Sequence, residues 1–400
     1  MATTLPAGLD FACLLHALPR LGAVLVPLNT RLTAGELRGQ IDVAGARLVV
    51  EAPLDGEEAD VEPRAAVDPS EPQTLLFTSG TTGSPKPVVL SYANHRASAL
   101  ASAWNLGVAP GDRWLCVLPL FHVGGLSILL RSAIYGTTAI VHERFDEHAV
   151  AATLTAGQAT LVSLVATMLA RVLDAGLAAA PPLRAALIGG GPVPGSLLAR
   201  ARDAGVPVVP TYGMTETASQ IATAGMQAGG DVATAAQPLS GVCVQIAAGG
   251  EILVRGAMVS EGALAPDGWL HTGDRGRLDG DGGLHVAGRI ADVIVTGGEN
   301  VTSSEVEDVL RDHPAVLDVA VVGEDDPEWG EAVTAYVVPD GADVDEDELL
   351  DHVRARLAGF KVPKSLRIIP ELPRGPAGKV ARAELARRWR DRDRRDEQSR

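Results

Sequence analysis

Residues Thr78-Ser79-Gly80-Thr81-Thr82-Gly83-Ser84-Pro85-Lys86 combine the features that phosphate chemistry needs. Glycines at 80 and 83 let the backbone approach a ligand closely, and the neighbouring hydroxyls and amide N–H groups can donate to phosphate oxygens. Lys86 adds a compact charge on a flexible stem. The run follows Thr74-Leu75-Leu76-Phe77, an apolar stretch short enough to be a buried strand. The Gly-Lys-Ser/Thr ending of a Walker loop is absent. Taken alone, the run could also be an ordinary polar turn after a strand.

Two further loops have a similar texture. Residues 183–188 read as a strand that turns through Gly189-Gly190-Gly191-Pro192 into a helix over 195–204. Residues 206–209 read as another strand, opening directly onto Thr211-Tyr212-Gly213-Met214-Thr215-Glu216-Thr217. In open α/β sheets ligands bind at the carboxyl ends of strands. Three such ends carrying glycine- or hydroxyl-rich loops therefore fit one shared pocket. Arg131 closes the apolar run 126–130, and an arginine buried there needs a partner. It could equally reach solvent or pair with an internal acid.

The elements that must hold these loops are legible in outline. From about residue 21 to 379, short apolar runs alternate with Ala-rich helical stretches, the pattern of α/β layers. Beyond Gln237 the texture turns to β, with a strand over 251–254 and a hairpin around Asp279-Gly280-Asp281-Gly282-Gly283. After Arg289 it changes again. Ser304-Glu305-Val306-Glu307 reads as a capping box opening a helix that Pro314 ends, 316–322 as a strand, and 345–357 as a helix. The expected fold class is α/β. A large N-terminal domain over 1–289 has layered α/β sheets and a β-rich part at about 237–289. A small mobile α+β domain covers 290–385, and a charged tail covers 386–400.

Four hundred residues exceed what one core usually holds, which supports more than one domain. A net charge of −16 argues against a broad nucleic-acid surface or an anionic membrane, so any nucleotide site must be made positive locally. Only four lysines occur, at 86, 361, 364 and 379. Cys13, Cys116 and Cys243 give neither a disulfide framework nor a metal spacing. The apolar stretch 11–28 is interrupted by His16, Arg20 and two prolines and has no basic leader. It reads as neither signal peptide nor membrane span, so a cytoplasmic enzyme is expected.

The chain resembles the adenylate-forming acyl-CoA ligases, the superfamily that includes firefly luciferase and peptide-synthetase adenylation domains. The resemblance spans nearly the whole chain and rests on motifs in the family's order. These are the loop 78–86, Gly189-Gly190-Gly191, the run 211–217, Gly268-Trp269-Leu270-His271-Thr272-Gly273-Asp274, Gly288-Arg289, Gly297-Gly298-Glu299 and Gly378-Lys379. A narrower match lies in Leu118-Pro119-Leu120-Phe121-His122-Val123-Gly124-Gly125, continuing to Arg131, and in Met214-Thr215-Glu216-Thr217-Ala218-Ser219-Gln220. These runs are similar to the branch of the family that acts on o-succinylbenzoate in menaquinone biosynthesis.

The resemblance implies a two-step reaction. A carboxylate attacks the α-phosphate of ATP, giving an acyl-adenylate and pyrophosphate, and the thiol of coenzyme A then displaces AMP. Thr78, Ser79, Gly80, Thr81, Thr82, Gly83 and Lys86 would hold the departing pyrophosphate, and Glu216 would bind Mg2+. Thr215 would contact the α-phosphate, and Tyr212 would stack on adenine beside Gly190, Gly191, Thr211 and Gly213. Asp274 would accept from the ribose hydroxyls with Arg289 nearby. Lys379 would bridge the acid and the α-phosphate. His122, Arg131, Ser219 and Gln220 would line the acyl pocket, with Arg131 meeting the carboxylate that is not activated. Gly297, Gly298 and Glu299 would form part of the pantetheine tunnel.

Each of these readings has a plainer rival. Glu216 could sit at a helix N-terminus for electrostatic reasons, Asp274 could be a turn residue, Lys379 a solvated cation and His122 a core histidine. The chain also departs from the family. Pro87 replaces a common glycine and removes a backbone donor. Ala291 stands at the expected hinge, where relatives are often charged. The 77 residues before Thr78 imply an abbreviated N-terminal subdomain, whose edge a second subunit could cover. Ligation of another aryl or fatty acid, delivery to a carrier protein, and non-catalytic nucleotide binding remain as alternatives.

Overall fold

The computed structural model describes the chain except residues 54–61, 79–85, 179, 192, 226–235, 291–292, 297–298, 327–328, 342–343, 376–378, 383 and 386–400, and the side chains at 293, 295, 299 and 300. By packing, the chain divides into Met1–Thr272 with Leu278–His285, and Gly273–Arg277 with Val286–Arg400. This division falls earlier than the 289/290 junction read from sequence, and it places Asp274 and Arg289 in the second unit.

The first unit opens with a small parallel sheet of β1 (Ala2–Thr3), β2 (Val26–Pro27) and β3 (Val49–Val50), with helices α1 (Leu9–Ala17) and α2 (Ala34–Ala44). An antiparallel hairpin, β4 (Pro72–Thr78) and β5 (Lys86–Ser91), then leads straight into α3 (Tyr92–Leu106). Ser91 caps that helix reciprocally with Asn94. Pro87 is tolerated because it lies exposed near the start of β5.

The central sheet is built from β6 (Arg113–Cys116), α4 (Val123–Tyr135), β7 (Thr138–Val141), α5 (Glu147–Thr155), β8 (Leu161–Leu164), α6 (Ala166–Asp174), β9 (Ala185–Ile188), α7 (Gly195–Asp203) and β10 (Val208–Met214). It ends in β11 (Ser219–Thr223) and β12 (Gln237–Pro238). Strand order is β12-β11-β10-β9-β8-β6-β7, parallel from β10 to β7 and antiparallel at β11 and β12. Successive side chains of a strand point to opposite faces. Accordingly Trp114, Cys116, Leu161, Leu187 and Val209 join one apolar cluster, with residues of α1 and α4. Leu115, Val162, Leu164, Ala186, Ile188 and Val208 join another, with residues of α5, α6 and α7. Both faces are covered, as a parallel sheet requires. The chain runs outward from β6 to β7, then returns to the far side of β6 as β8. That reversal makes the carboxyl ends of β6 and β8 a topological switch point, where open α/β sheets place their ligand crevice.

A four-stranded sheet follows, in the order β13 (Val242–Ile246), β14 (Glu251–Gly256), β15 (Leu270–Leu278), β16 (Leu284–Arg289). The expected hairpin at residues 279–283 joins its last two strands.

The second unit holds a five-stranded sheet of β17 (Val293–Thr296), β18 (Glu299–Thr302), β19 (Val316–Asp326), β20 (Gly330–Pro339) and β21 (Ser365–Ile368). Helices α8 (Ser303–Arg311) and α9 (Glu346–Arg354) pack Val306, Leu310, Leu349 and Val353 against Val319, Val321, Val333 and Val337. Asp345 caps α9, accepting from the N–H groups of Asp347 and Glu348. The capping box expected at Ser304 does not form. Thr302 holds the cap position without a side-chain bond, and Ser304 donates to Ala287 O at 2.9 Å.

At the opposite end of β6 from the crevice, one ion pair gathers several chain segments. Buried Asp112 accepts from Arg184 Nε (2.8 Å) and Nη2 (2.6 Å), Ala109 N (2.8 Å) and Thr160 Oγ1 (2.9 Å). Arg184 also donates to Leu106 O and Gly107 O. Asp112→Ala leaves a largely buried guanidinium without its charge partner. It is expected to cost about 3 kcal/mol, read as a lower urea midpoint, whereas an exposed control such as Asp203→Ala changes it little.

Candidate active site

The crevice is lined by the segments that leave its strands. After β6 the chain passes through Leu118-Pro119-Leu120-Phe121 to His122, which sits half-buried at the N-cap of α4 with its ring 4.6 Å from that of Phe121. After β9 comes Gly190 in a left-handed conformation (φ 82°), where a Cβ would lie 3.3 Å from Val165, the first residue beyond β8. His122 thus lies beyond the carboxyl end of β6, and Gly190 and Gly191 follow that of β9.

The run 211–214 does not come after a strand; it is the second half of β10. Pairing with β11 draws the strand onward, with Thr211 opposite Thr223 and Met214 opposite Ser219. A bulge falls between Tyr212 and Gly213. At Gly213 any side chain is excluded, because a Cβ would lie 1.7 Å from Ser219 O. The strand then tightens into one 3-10 turn, Thr215–Thr217, and reverses through Ala218 (φ 51°) and Ser219 (φ 116°). These are the only non-glycine residues with positive φ among those described. A left-handed alanine costs about 1–2 kcal/mol, so the surroundings must impose this turn.

Those surroundings are specific. Thr217 Oγ1 donates to Met214 O, Ser260 N donates to Glu216 O (2.7 Å), and Ser98 Oγ donates to Ala218 O (2.9 Å). Ser260 Oγ also bonds Val89 O on β5, and Asn94 Nδ2 holds the carbonyls of Ala257 and Val259. The β4–β5 hairpin therefore lies beside the turn that carries Thr215 and Glu216. Thr78 and Lys86 face each other as the last pair of that hairpin, with Thr78 Oγ1 donating to Lys86 O. Ser79, Gly80, Thr81, Thr82 and Gly83 lie outside the described residues.

Of the four acyl-pocket candidates, Arg131 is the most telling. It is 3% exposed on α4, with its guanidinium 5.6 Å from the Trp114 ring. Nη2 donates to Ser98 Oγ at 3.3 Å, Nε has no partner, and no carboxylate among the described residues pairs with it. Burial pulls its pKa down. Gln220 is also buried. Its Nε2 donates to Thr211 and Thr223, and its Oε1 is unpartnered. Ser219 and Tyr212 are half-buried, Tyr212 against the Ile221 and Leu284 cluster.

In the second unit, buried Asp274 accepts from Arg289 Nε at 2.9 Å, so the sequence-predicted pair does meet. Lys379 is exposed, its carbonyl accepting from Gly375 N. Gly297, Gly298, the Glu299 side chain, Gly378, Ala291 and Asp292 lie outside the described residues. For Mg2+, the fitting donors are the half-buried Glu216 carboxylate and Thr215 hydroxyl. Among the described residues no cluster of three or more His, Cys, Asp or Glu could hold a metal.

A parallel α/β sheet with a glycine turn after β9 and the strained Thr215–Thr217 turn after β10, in a chain that also carries a small α+β unit, fits an enzyme that activates acids on a nucleotide. The chain belongs to the AMP-binding enzyme family: residues 1–264 match that family, and residues 305–379 match the AMP-binding enzyme C-terminal domain. It is 40% identical to the 2-succinylbenzoate–CoA ligase of Bacillus licheniformis, covering 96% of this chain and 88% of that protein. The Bacillus cereus enzyme of the same name is 39% identical over 96% and 87%. Two solved structures of Bacillus subtilis o-succinylbenzoate CoA synthetase are also similar. The complex with the acyl-adenylate intermediate has a TM-score of 0.90 and 36% identity, covering 96% of this chain and 87% of that one. The complex with ATP and magnesium has a TM-score of 0.89 and 36% identity over 96% and 88%.

Sequence reasoning missed His95, Ser98 and Ser260. Ser98 and His95 look like ordinary helix residues, and their only trace is polarity on the buried side of α3. His95 is buried, 2.8 Å from Thr74 Oγ1, and burial with the Arg131 charge lowers its pKa from 6.5 to about 3. Its contribution to stability is complete above pH 6.5. As pH falls toward 3 the unfolded chain takes a proton that the folded one refuses, costing about 1.4 kcal/mol per pH unit. His95→Gln is expected to flatten the fall in urea midpoint between pH 6.5 and 5. An unchanged slope would show that another group titrates there.

Proposed function

We infer that this chain is an AMP-forming acid–CoA ligase that converts o-succinylbenzoate to its CoA thioester for menaquinone biosynthesis, with ATP, Mg2+ and coenzyme A. In the first step a carboxylate oxygen bonds to the α-phosphorus of ATP as the bond to the β-phosphate oxygen breaks. Pyrophosphate leaves. The thiol sulfur of coenzyme A then bonds to the acyl carbon, AMP departs with the bonding electrons, and the thiol proton is lost to solvent. Catalysis of such steps is mostly positioning and charge neutralisation. Mg2+ supplies positive charge at the phosphates, with Glu216 and Thr215 its proposed protein contacts.

The remaining roles are assigned on the same footing. Lys86 and the hydroxyls of the 78–86 loop hold pyrophosphate, and Tyr212 with Gly190 and Gly191 receives adenine. Asp274, oriented by Arg289, accepts from ribose hydroxyls, and Lys379 relieves repulsion between the acid and the α-phosphate. A cytoplasmic setting, where these substrates occur, goes with the reading.

The observation that carries the substrate choice is Arg131. A buried guanidinium bonded to a serine hydroxyl, near Tyr135 and an indole face, with no carboxylate partner among the described residues, is costly unless an anion completes it. o-Succinylbenzoate has two carboxylates, and the one not activated answers that need. The direct test is incubation with ATP, Mg2+, coenzyme A and o-succinylbenzoate, with mass detection of the thioester; ATP-dependent thioester with other acids only would sink the reading. Arg131→Gln is expected to lower kcat/KM for o-succinylbenzoate about 100-fold, the worth of a charge-assisted contact, with the KM for ATP little changed. Lys379→Ala is expected to abolish acyl-adenylate formation yet still convert supplied acyl-adenylate to thioester. Equal loss of both half-reactions would contradict that division.

A further inference from the structure

Between Arg131 and the Glu216 turn stands a single side chain. Ser98, on α3 and 1% exposed, accepts from Arg131 Nη2 at 3.3 Å and donates its own proton to Ala218 O at 2.9 Å. Ala218 is the left-handed residue that reverses the chain immediately after Thr215-Glu216-Thr217. The path from the buried cation to the turn is therefore two hydrogen bonds long and passes through one hydroxyl. Hydrogen bonds in series polarise one another, so a hydroxyl that accepts from a cation is a stronger donor to the next acceptor. Whatever engages the guanidinium changes the hold on Ala218.

We propose that Ser98 is a positioning and specificity residue that couples occupancy of the Arg131 anion site to the geometry of the Thr215–Thr217 turn. This rests on the reading of Arg131 as the partner of the substrate's second carboxylate. When that carboxylate pairs with the guanidinium, the Arg131–Ser98 bond readjusts, and Ser98 sets the Ala218 carbonyl, and with it Thr215 and Glu216, for attack on the α-phosphate. The correct diacid is then favoured in kcat for adenylation as well as in binding. Nε of Arg131, still without a partner, leaves the guanidinium bonding capacity for an incoming anion.

The test is acid-dependent pyrophosphate release by wild type, Ser98→Ala, Ser98→Thr and Arg131→Gln. Each is assayed with o-succinylbenzoate and with an analogue whose non-activated carboxylate is replaced by hydrogen. Wild type should show a higher kcat on the diacid. Ser98→Ala should shrink the diacid-to-analogue kcat ratio about tenfold, Ser98→Thr should retain it, and Ser98→Ala with Arg131→Gln should be no worse in that ratio than Arg131→Gln alone. Equal loss on both acids would make Ser98 a purely structural brace and overturn the coupling, as would an effect confined to KM. Thermal melts of both Ser98 variants separate misfolding from either outcome, and if Ser98→Thr melts early the Ser98→Ala ratio decides. Failure of the substrate reading shows separately, as a wild type that releases pyrophosphate with other acids and none with o-succinylbenzoate.

Discussion

A buried carbonyl must find a donor, and the turn between β10 and β11 concentrates that demand. Within five residues the chain leaves a strand, makes one 3-10 turn and reverses through two left-handed positions. The approach of Gly213 to Ser219 O leaves no room to relax it. The carbonyls of Glu216 and Ala218 are satisfied from outside, by Ser260 N and Ser98 Oγ. Strain of this kind persists only where the surroundings over-determine it. Here they do so from two directions, since Ser260 is tied to β5 and Ser98 belongs to α3. The placement of Thr215 and Glu216 is therefore a property of the packed layers and not of the loop alone.

The sheet supplies the second constraint. Because β6 lies between β8 and β7 and is parallel to both, the connections leaving β6 and β8 run in opposite directions along the sheet, leaving between them the gap of a topological switch point. Its walls come from α4, whose N-cap is His122, and from the glycine turn after β9. The same helix carries Arg131 two turns further along, into the apolar layer beside Trp114. One helix thus carries both His122 at its start and buried Arg131.

Much of this is legible in the sequence, and the rest is hidden for physical reasons. Glycine-rich turns announce themselves, because few other residues tolerate those conformations; hence residues 78–86 and 189–191 stand out. The 211–217 run stands out too, but its strand character does not. A strand continued by antiparallel pairing has no local signature when its partner is β11. The capping box at Ser304 fails because Thr302 is still paired in β18 as the helix begins, which shifts the cap position. Lysine scarcity singles out Lys86 and Lys379 as candidates. The other two lysines are structural, Lys361 pairing with Glu305 at 2.5 Å and Lys364 lying 4.4 Å from the Trp329 ring. Ser98 is invisible because its role depends on two partners, 33 and 120 residues away.

In a chain carrying sixteen excess negative charges, holding an anion in the interior requires a cation that the field of the protein does not supply. The buried layer beside α3 solves this with one charge only. His95 lies close enough to Arg131 for the two to repel if both were charged, and burial with that repulsion keeps the imidazole neutral. Among the described residues, that layer thus presents a single fully buried guanidinium. If Arg131 meets the second carboxylate as proposed, a diacid would remove a desolvation penalty that a monoacid of the same shape would leave standing. Selectivity would then come less from attraction to the right acid than from the cost of leaving Arg131 unanswered by the wrong one. On the proposed reading, a cation this far along α4 from His122 would decide which acid is activated.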